Sequence, residues 1–489
     1  MSIAVTSHIT PCRFYGEGAW RASSAEAASD VFDPSTGEII GRVPHLTAAE
    51  VDATVRAAHE AFRSWRNVSP FVRARYLFKY RELLDRHRDD IARGITREHG
   101  KTLEDARGSV QRGIEVVEFA CGIPTLLMGE TLEQVSGGVD CYSVRQPLGV
   151  CVGITPFNFP VMVPLWMLPL AIACGNTFVL KPSDKVPHTA QRLVELLYEA
   201  GLPPSVVSLV HGGPAQVEAL IDHPLVRAVS IVGSTAAASS VYARAAARGK
   251  RVQALGGAKN HMVALPDADV ERTVDSIIGS AFGSAGQRCM AGSVLIAVGD
   301  AADRLLPRLV ARAGAMRVDA GTCEGVEMGP MITADQRRRA ESYIDIGVGE
   351  GAVLALDGRR NAPRSGGFFL GATILDHVKP GMRVARDEIF GPVLSIVRVD
   401  TLDDALALIA QSPMGNAAVI FTRDAGSIRT FVREADAGMI GVNVGVPVPV
   451  AVFPFSGWKQ SFFGDLHAHG KDGVRFYTAS KIVTSRVSR

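Results

Sequence analysis

The spacing of apolar residues near the start of the chain predicts a series of amphipathic helices. Residues 47–65 form the first, because Thr47 and Glu50 make a capping box ahead of apolar residues at helical intervals. A second helix is predicted over 71–93, with a heavily charged face that is expected to meet solvent. A third is predicted over 103–121, where two apolar stripes run along the helix.

From residue 148 onwards, short apolar runs alternate with helical segments. Apolar strands are predicted over 148–154, 177–180, 206–210 and 228–232. Because these strands are apolar along their length and helices separate them, the pattern favours a parallel sheet covered on both faces. The half of the chain after residue 255 repeats the alternation, with strands near 294–298 and 393–399 and a helix near 402–411. The predicted fold class is therefore α/β.

The most apolar run of the chain, Val161 to Cys174, is expected to be a buried element. It is too short to span a bilayer, and it contains Pro164 and Pro169. The segment from Met1 to Tyr15 shows the pattern of neither a secretory signal nor an Arg-rich presequence. We therefore expect a cytoplasmic protein.

Composition narrows the possible functions. A chain of 489 residues is too long for one core, so two or more structural units are expected. The 52 basic and 50 acidic residues leave a net charge of +2, which gives no electrostatic case for a nucleic-acid partner. Seven cysteines without CxxC pairs fit a reducing compartment and argue against a zinc cluster. His467 and His469 are expected to be surface residues, and no metal site is predicted.

One cysteine lies in a segment of small residues, Phe282 to Ala291, that suits a tight backbone bend. Such a bend can hold the thiol of Cys289 outside the core, and the adjacent Arg288 supplies a positive charge that favours thiolate. The alternative is a buried structural cysteine. From this segment alone the two interpretations carry equal weight.

Polar and glycine residues follow the predicted strands, at the edge where parallel sheets bind ligands. They are Thr155 to Asn158, Lys181 to Lys185, Gly212-Gly213 and Gly233-Ser234. Lysine suits phosphate charge or ribose hydroxyls, aspartate suits ribose hydroxyls, and Gly233-Ser234 at a helix start suits a pyrophosphate. The set indicates a nucleotide site, although no GxGxxG fingerprint follows these strands.

An ordered set of segments resembles the aldehyde dehydrogenase superfamily over nearly the whole chain. The segments are Thr155-Pro156-Phe157-Asn158, Lys181-Pro182-Ser183, Gly233-Ser234-Thr235, Gly286-Gln287-Arg288-Cys289, Glu388-Ile389-Phe390-Gly391-Pro392 and Ser456-Gly457. The resemblance implies a Rossmann-type NAD domain, an α/β catalytic domain and a bridging β-hairpin for oligomerisation, in a homotetramer. The implied bounds are 1–127 and 148–255 for the NAD domain, 256–455 for the catalytic domain, and 128–147 and 456–489 for the bridging segments.

The resemblance also implies roles for individual residues. Cys289 would attack the aldehyde to form a thiohemiacetal and then a thioacyl enzyme. The Asn158 amide and the Cys289 backbone N–H would hold the oxyanion. The implied NAD-binding residues are Thr155, Phe157, Lys181, Asp184, Lys185, Gly233, Ser234, Glu388 and Phe390, of which the last two would position the nicotinamide ribose.

Further segments are similar to the CoA-acylating methylmalonate-semialdehyde dehydrogenases. They cover residues 147–151, 154–160, 163–167, 257–261, 462–467 and 470–478. Hydrolytic relatives activate water with the glutamate of a Glu-Leu-Gly-Gly segment, which here reads Ala254-Leu255-Gly256-Gly257. Losing a positioned base slows a reaction by ~10²–10⁴-fold, so hydrolysis should be slow. A thiol nucleophile needs less help, and the missing glutamate therefore favours acyl transfer to CoA as the co-substrate.

The expected reaction converts methylmalonate semialdehyde to propanoyl-CoA, or malonate semialdehyde to acetyl-CoA, with loss of CO2. The two substrates differ by one methyl group, and the sequence does not separate them. Valine, inositol or β-alanine breakdown would each fit. Arg288 and Arg112 are the candidates for binding the substrate carboxylate, since guanidinium groups bind carboxylates bidentately. Arg112 could instead snorkel to solvent, and Arg107 is its nearest competitor.

Three positions depart from the family pattern, and two other functions stay open. Asp184 has a shorter reach to a ribose than the usual glutamate, while Gln460 and Gly445 could alter substrate fit. The protein could be a hydrolytic NAD-dependent aldehyde dehydrogenase for another carboxylated aldehyde, which Ala254 counts against. It could also be a catalytically silent structural or binding protein, which the presence of both Cys289 and Asn158 counts against.

Overall fold

The computed structural model describes residues 10–363, 366–448 and 450–486. The strands up to residue 255 are β1 (Thr10–Pro11), β2 (Phe14–Gly16), β3 (Ala19–Arg21), β4 (Ala28–Phe32), β5 (Ile39–Pro44), β6 (Thr131–Ser136), β7 (Val139–Pro147), β8 (Val150–Ile154), β9 (Thr177–Lys181), β10 (Val207–Leu209), β11 (Val226–Val232) and β12 (Arg251–Leu255). The helices of this part are α1 (Ala48–Trp65), α2 (Pro70–Arg86), α3 (Arg88–His99), α4 (Leu103–Cys121), α5 (Ile123–Leu126), α6 (Met162–Ala173), α7 (Pro187–Glu199), α8 (Pro214–Asp222) and α9 (Thr235–Ala246).

The rest of the chain continues the alternation of strands and helices. Its strands are β13 (Asn260–Ala264), β14 (Gly292–Val298), β15 (Val353–Leu356), β16 (Thr373–Asp376), β17 (Val393–Val399), β18 (Met414–Gly415), β19 (Ala417–Phe421), β20 (Met439–Val442), β21 (Trp458–Lys459), β22 (Phe462–Phe463) and β23 (Thr478–Arg486). Its helices are α10 (Val270–Phe282), α11 (Ala301–Gly314), α12 (Ala334–Gly349), α13 (Arg383–Arg386), α14 (Leu402–Gln411), α15 (Ala425–Glu434) and α16 (Gly470–Phe476).

The predicted capping box forms at the start of α1. The Thr47 hydroxyl accepts a hydrogen bond from the Glu50 backbone N–H at 3.2 Å, and the Glu50 carboxylate accepts one from the Thr47 N–H at 2.8 Å. The single helix predicted over 71–93 is wrong, because the chain forms α2 and α3 instead. His87 between them leaves helical geometry, with φ −98° and ψ 13°. Gly100 then ends α3 in a left-handed conformation.

An eight-stranded sheet in the order β22-β12-β11-β8-β9-β10-β2-β3 forms one layer of the molecule. The five strands from β12 to β10 are parallel, as the apolar pattern predicts, and antiparallel pairs complete the edges. Since β11, β8 and β9 are direct neighbours, the loops that follow them meet at one edge.

A seven-stranded sheet in the order β15-β16-β17-β14-β13-β19-β20 forms the second layer, and only its edge strand β15 is antiparallel. Each of the two sheets is backed by its own apolar cluster. These two sheets, with helices between their parallel strands, confirm the α/β class.

A separate antiparallel sheet joins β6 and β7 to β23, so the carboxyl-terminal strand lies along the β6–β7 hairpin. Its register pairs Thr478 with Pro147 at one end and Arg486 with Val139 at the other. Elsewhere in the tail, β21 pairs with β18 and β22 pairs with β12. Among the described residues, none of the helices is both long and apolar enough to cross a membrane.

The apolar run from Val161 to Cys174 is buried, as predicted, and forms α6, which is covered on every side. Helix α4 packs against it. Gly113 makes this close approach possible, because a Cβ there would come within 2.6 Å of Leu165 Cδ1. The contact fixes the α4 face that carries Arg112 beside the amino end of α6.

Candidate active site

Cys289 follows a tight turn that the sequence predicted as a bend. Ser284, Ala285 and Gly286 have φ values of 54°, 52° and 68°, so three consecutive residues are left-handed. The turn is pinned by the Asp105 carboxylate, which accepts a hydrogen bond from the Ser284 N–H at 3.1 Å. At Gly286 a Cβ would lie 2.3 Å from the Gly391 carbonyl oxygen, so only glycine fits. The turn leaves Cys289 half-buried.

The thiol of Cys289 is neutral near pH 7 in this structure. Burial raises its pKa to about 12, and the nearby Glu388 carboxylate adds to the effect. The Arg288 guanidinium and the backbone N–H groups of Cys289 and Met290 act in the opposite direction. Arg288 therefore favours thiolate, as predicted, but burial outweighs its effect.

Cys289 opens into a cavity of about 570 Å³ between α4, α6 and the turn before β14. Both predicted arginines line it, together with aromatic side chains from Phe159, Trp166 and Phe455. The thiol and the two guanidinium groups thus share one partly apolar chamber. That arrangement suits a small substrate with one anionic end.

The two cavity arginines differ in how firmly they are held. Arg112 donates from Nη1 to the Glu115 carboxylate at 2.9 Å and stays partly exposed. Arg288 donates to the backbone carbonyls of Gly279 and Ser280, which fixes its guanidinium group against the end of α10. In the described part of the chain, Arg107 is outside the cavity lining and donates to Asp89 at 2.8 Å.

Asn158 lies in the loop between β8 and α6 and is only 4% exposed. Its backbone carbonyl accepts a hydrogen bond from Lys101 Nζ at 2.7 Å, and the same ammonium lies 4.3 Å from the Phe159 ring centre. Burial lowers the pKa of Lys101 to about 7. Sequence reasoning missed this lysine, because its partner is a backbone atom far along the chain.

The residues predicted for a nucleotide lie at the carboxyl ends of neighbouring parallel strands. Lys181 ends β9, is buried, and has its pKa lowered to about 8 by that burial. Lys185 Nζ lies 3.8 Å from the Asp184 carboxylate and 5.9 Å from the Phe157 ring centre. Ser234 caps α9 by accepting the Ala237 N–H at 3.3 Å.

The remaining predicted NAD-binding residues, Glu388 and Phe390, lie in the segment between α13 and β17. The Glu388 carboxylate accepts a hydrogen bond from the Ala258 N–H at 3.0 Å. Burial raises the pKa of Glu388, while Lys259 lowers it. Phe390, at φ 57°, packs edge-to-face on Phe157 with ring centres 5.8 Å apart. Ala254 is fully buried in β12 and brings no carboxylate.

Two asparagines that the sequence did not single out converge on the backbone of Cys289. Asn260 Nδ2 donates to the Cys289 carbonyl at 2.8 Å and to the Ala291 carbonyl at 2.9 Å. Asn416 Nδ2 donates to the same Cys289 carbonyl at 3.0 Å. Both asparagines are 4% exposed. An amide that bonds a backbone atom leaves no periodic signal, so only the three-dimensional structure reveals the pair.

The prediction of a surface position is wrong for His469, and the structure shows what surrounds Gln460 and Gly445. His469 is buried, with its ring 5.3 Å from that of Trp166, whereas a surface position was expected. His467 donates from Nε2 to the Gly457 carbonyl at 3.2 Å. The Gln460 N–H bonds the Pro413 carbonyl at 3.0 Å. At Gly445 a Cβ would come within 2.4 Å of the Ser276 carbonyl oxygen.

Comparison with known proteins shows the family to which the chain belongs. Residues 20–483 match the aldehyde dehydrogenase family. The chain therefore belongs to the aldehyde dehydrogenase family.

Similar proteins in this family are named malonate-semialdehyde dehydrogenases. The chain is 55% identical over 470 residues to malonate-semialdehyde dehydrogenase 3 of Geobacillus kaustophilus (strain HTA426), covering 96% of this chain and 97% of that protein. It is 51% identical to malonate-semialdehyde dehydrogenase of Pseudomonas aeruginosa, with 94% and 93% covered.

The chain also superposes closely on solved structures. Methylmalonate-semialdehyde dehydrogenase from Oceanimonas doudoroffii superposes with a TM-score of 0.96 at 47% identity, covering 98% of this chain and 99% of that one. An NAD complex of a Sinorhizobium meliloti 1021 protein superposes with a TM-score of 0.97 at 44% identity, covering 99% of both chains.

Proposed function

We propose that the protein oxidises malonate semialdehyde or its methyl homologue with NAD, and transfers the acyl group to CoA with loss of CO2. One observation carries the proposal. The Cys289 thiol shares a cavity with Arg112 and Arg288, while Ala254 puts a methyl group at the position of the hydrolytic base. The names of the similar proteins support the substrate class.

The residues present fit NAD. At the edge of the eight-stranded sheet, the buried Thr155 hydroxyl has no hydrogen-bond partner among the described residues. The backbone of the buried Lys181 lies beside it, because the Thr155 N–H donates to the Lys181 carbonyl at 3.1 Å. Gly233 and Ser234 open α9, whose N-terminus suits a pyrophosphate. We therefore assign residues 1–127 and 148–255 to the NAD domain and 256–455 to the catalytic domain.

The first chemical step belongs to Cys289. Its sulfur bonds the aldehyde carbon, and the carbonyl electrons move to oxygen, where the Asn158 amide and the Cys289 N–H would receive them. When bound, NAD accepts the hydride from that carbon. The N–H groups around the sulfur and the Arg288 charge offset part of the cost of forming the thiolate.

The cavity then determines how the acyl group leaves. No carboxylate at residue 254 can activate water, so the CoA thiolate attacks the thioester and Cys289 departs as the leaving thiolate. Arg112 and Arg288 hold the substrate carboxylate until it leaves as CO2. The electrons of the broken C–C bond pass into the thioester carbonyl as an enolate, which a proton then quenches.

The test is NADH formation from each semialdehyde with and without CoA, with the acyl product identified by mass spectrometry. We expect sustained turnover only with CoA, and a burst of about one NADH per site without it. Cys289→Ala should abolish both. Equal turnover without CoA, giving a free acid, would refute the proposal.

A hydrolytic aldehyde dehydrogenase is the second candidate. The observation in its favour is the Glu388 carboxylate, which lies near enough to Cys289 to raise the pKa of that thiol. It could serve as the base that Ala254 cannot supply. If so, Glu388→Gln would suppress formation of the free acid more strongly than it reduces the NADH burst.

A further inference from the structure

A second cavity, of about 370 Å³, lies at the carboxyl end of α6, away from the chamber at its amino end. It is lined by three arginines and by no aspartate or glutamate in the described part of the chain. The lining residues that matter are Arg66, Ser69, Arg73, Arg145 and Cys174. Three positive charges with no acidic partner make the cavity strongly attractive to anions.

Arg73 is the central group of this cavity. It is only 5% exposed, and the described residues give its side chain neither an ion pair nor a hydrogen bond, while its Nε is buried without a partner. The guanidinium rests on Gly175, where a Cβ would lie 2.4 Å from Nη1. A buried guanidinium without a partner is costly, because its desolvation is not repaid by bonds.

A helix N-terminus adds to the charge. Helix α2 begins at Pro70, and the Ser69 side chain makes no capping hydrogen bond. Because Ser69 and Pro70 line the cavity, the positive end of this 17-residue helix lies at it. We propose that this cavity binds a phosphate group, held by Arg66, Arg73, Arg145 and the start of α2. Its volume also leaves room for a small substituent on the phosphate.

The test measures the melting temperature of the full chain in sodium phosphate against sodium chloride at matched ionic strength. Phosphate should raise the Tm of the wild type by roughly 2 °C or more. Arg66→Gln together with Arg145→Gln should remove most of that shift. Arg63→Gln is the matched control, because that exposed guanidinium on α1 pairs with Glu60 and does not line the cavity. Glycerol phosphate in a parallel series separates free phosphate from a phosphate monoester.

Each result decides the proposal. Arg73→Gln should also remove the phosphate shift, and if that variant does not fold, the Arg66/Arg145 variant decides the test. An equal phosphate shift in the wild type and that variant would refute the site, since phosphate would then bind elsewhere. No shift in the wild type, with a smaller assembly for the variant, would also refute it and would mean that a second copy supplies the anion as a carboxylate.

A separate set of contacts points to a pair of positioning residues. Two buried amides, from β13 and from the turn between β18 and β19, bond one carbonyl at 2.8 and 3.0 Å. A peptide whose carbonyl accepts two hydrogen bonds is polarised, and its N–H becomes a stronger donor. The N–H in question belongs to Met290.

We infer that Asn260 and Asn416 hold the Cys289–Met290 peptide so that the Met290 N–H faces the thiol sulfur. That N–H is one of the groups that lower the pKa of Cys289. The inference deepens the proposed function, since it concerns the same nucleophile. Its test requires neither substrate nor NAD, so its failure can be told apart from failure of the proposed reaction.

The test is the rate of iodoacetamide alkylation of Cys289, followed by mass spectrometry of its peptide between pH 7 and 10. Asn416→Ala should slow alkylation roughly fivefold to tenfold at each pH, because less thiolate forms. Asn260→Ala should act in the same direction, but it also loses the bond from the Ala417 N–H at 3.0 Å. Asn416→Ala therefore decides the matter if the other variant does not fold.

Asn176→Ala is the matched control. Asn176 is a fully buried amide that also bridges backbone groups, those of Leu148 and Tyr477, but it does not touch the Cys289 peptide. The control should lower the melting temperature without changing the alkylation profile. An unchanged profile in folded Asn416→Ala would refute the inference.

Discussion

At Cys289, two side chains of opposite charge act on the same thiol. Glu388 raises the pKa of the thiol, and Arg288 lowers it. Neutralising the carboxylate should therefore favour the thiolate. We expect Glu388→Gln to speed iodoacetamide alkylation of Cys289 severalfold at pH 8 in the absence of NAD. A slower reaction would show that Glu388 instead accepts the thiol proton.

The two arginines of α4 allow a paired test of substrate binding. Arg112 lines the cavity, whereas Arg107, five residues earlier on the same helix, pairs with Asp89 outside it. Loss of a hydrogen bond to a charged group costs about 1.5–3 kcal/mol, so Arg112→Gln should raise the KM for the semialdehyde roughly 10- to 100-fold. Arg107→Gln should leave the KM within about twofold. Steady-state kinetics with saturating CoA distinguishes the two, and equal effects would remove Arg112 from the site.

The buried Lys101 side chain makes the free energy of unfolding depend on pH. Burial lowers its pKa from 10.5 to about 7, so between these values the unfolded chain binds a proton that the folded chain has released. Stability therefore rises with pH across this window, and Lys101→Met removes the rise. Urea denaturation at pH 7 and pH 9.5 should show the wild type gaining about 1–3 kcal/mol relative to the variant. Lys79→Met, at an exposed position, should run parallel to the wild type.

At the scale of single elements, the turn before Cys289 depends on glycine. Gly286 has φ 68°, and a Cβ there would meet the Gly391 carbonyl oxygen at 2.3 Å. We expect Gly286→Ala to lower stability by about 1–3 kcal/mol and to abolish NADH formation, because the thiol moves with the turn. Gly349→Ala is the control, since a Cβ at that helix end meets nothing within 4 Å. Thermal melting together with the activity assay reports both effects.

The elements that the sequence predicted well are those whose signal is local. The capping box of Thr47 and Glu50 marks the start of α1 within one residue, and the apolar run after Val161 becomes a buried helix. The break at His87 was missed, because a helical pattern continues through it and only the backbone geometry changes. Edge strands such as β22 were missed as well, since a strand of two residues shows no alternation of apolar and polar positions.

In the candidate site, too, the sequence predicted only residues that belong to a local motif or pattern. Cys289, Arg288 and Arg112 could be proposed from residue type and motif, and the structure brings them to one cavity. Lys101 and Asn416 were not found, because each acts on a backbone carbonyl that is distant in the chain. Such contacts follow from how the two sheets pack and from nothing in the local pattern.

At the scale of the whole molecule, the sheet of β6, β7 and β23 leaves an apolar face uncovered in a single chain. Leu132 pairs with Cys141, and Ile482 pairs with Ser143. Cys141 and Ser143 are two residues apart on β7, so all four side chains lie on one face. Leu132 is 66% exposed and Ile482 is 64% exposed. We expect large apolar side chains grouped in this way to contact another chain.

The predicted homotetramer gives that face its test. Leu132→Asp combined with Ile482→Asp places two charges on it, and we expect the purified protein to shift to a smaller assembly in light scattering coupled to gel filtration. Val353→Asp is the matched control, because that residue is 52% exposed on the edge strand β15, in another sheet. The cavity at Cys289 is built from α4, α6 and the turn before β14 within one chain, so the smaller species should keep its NADH burst. An unchanged mass for the double variant would assign assembly to another surface.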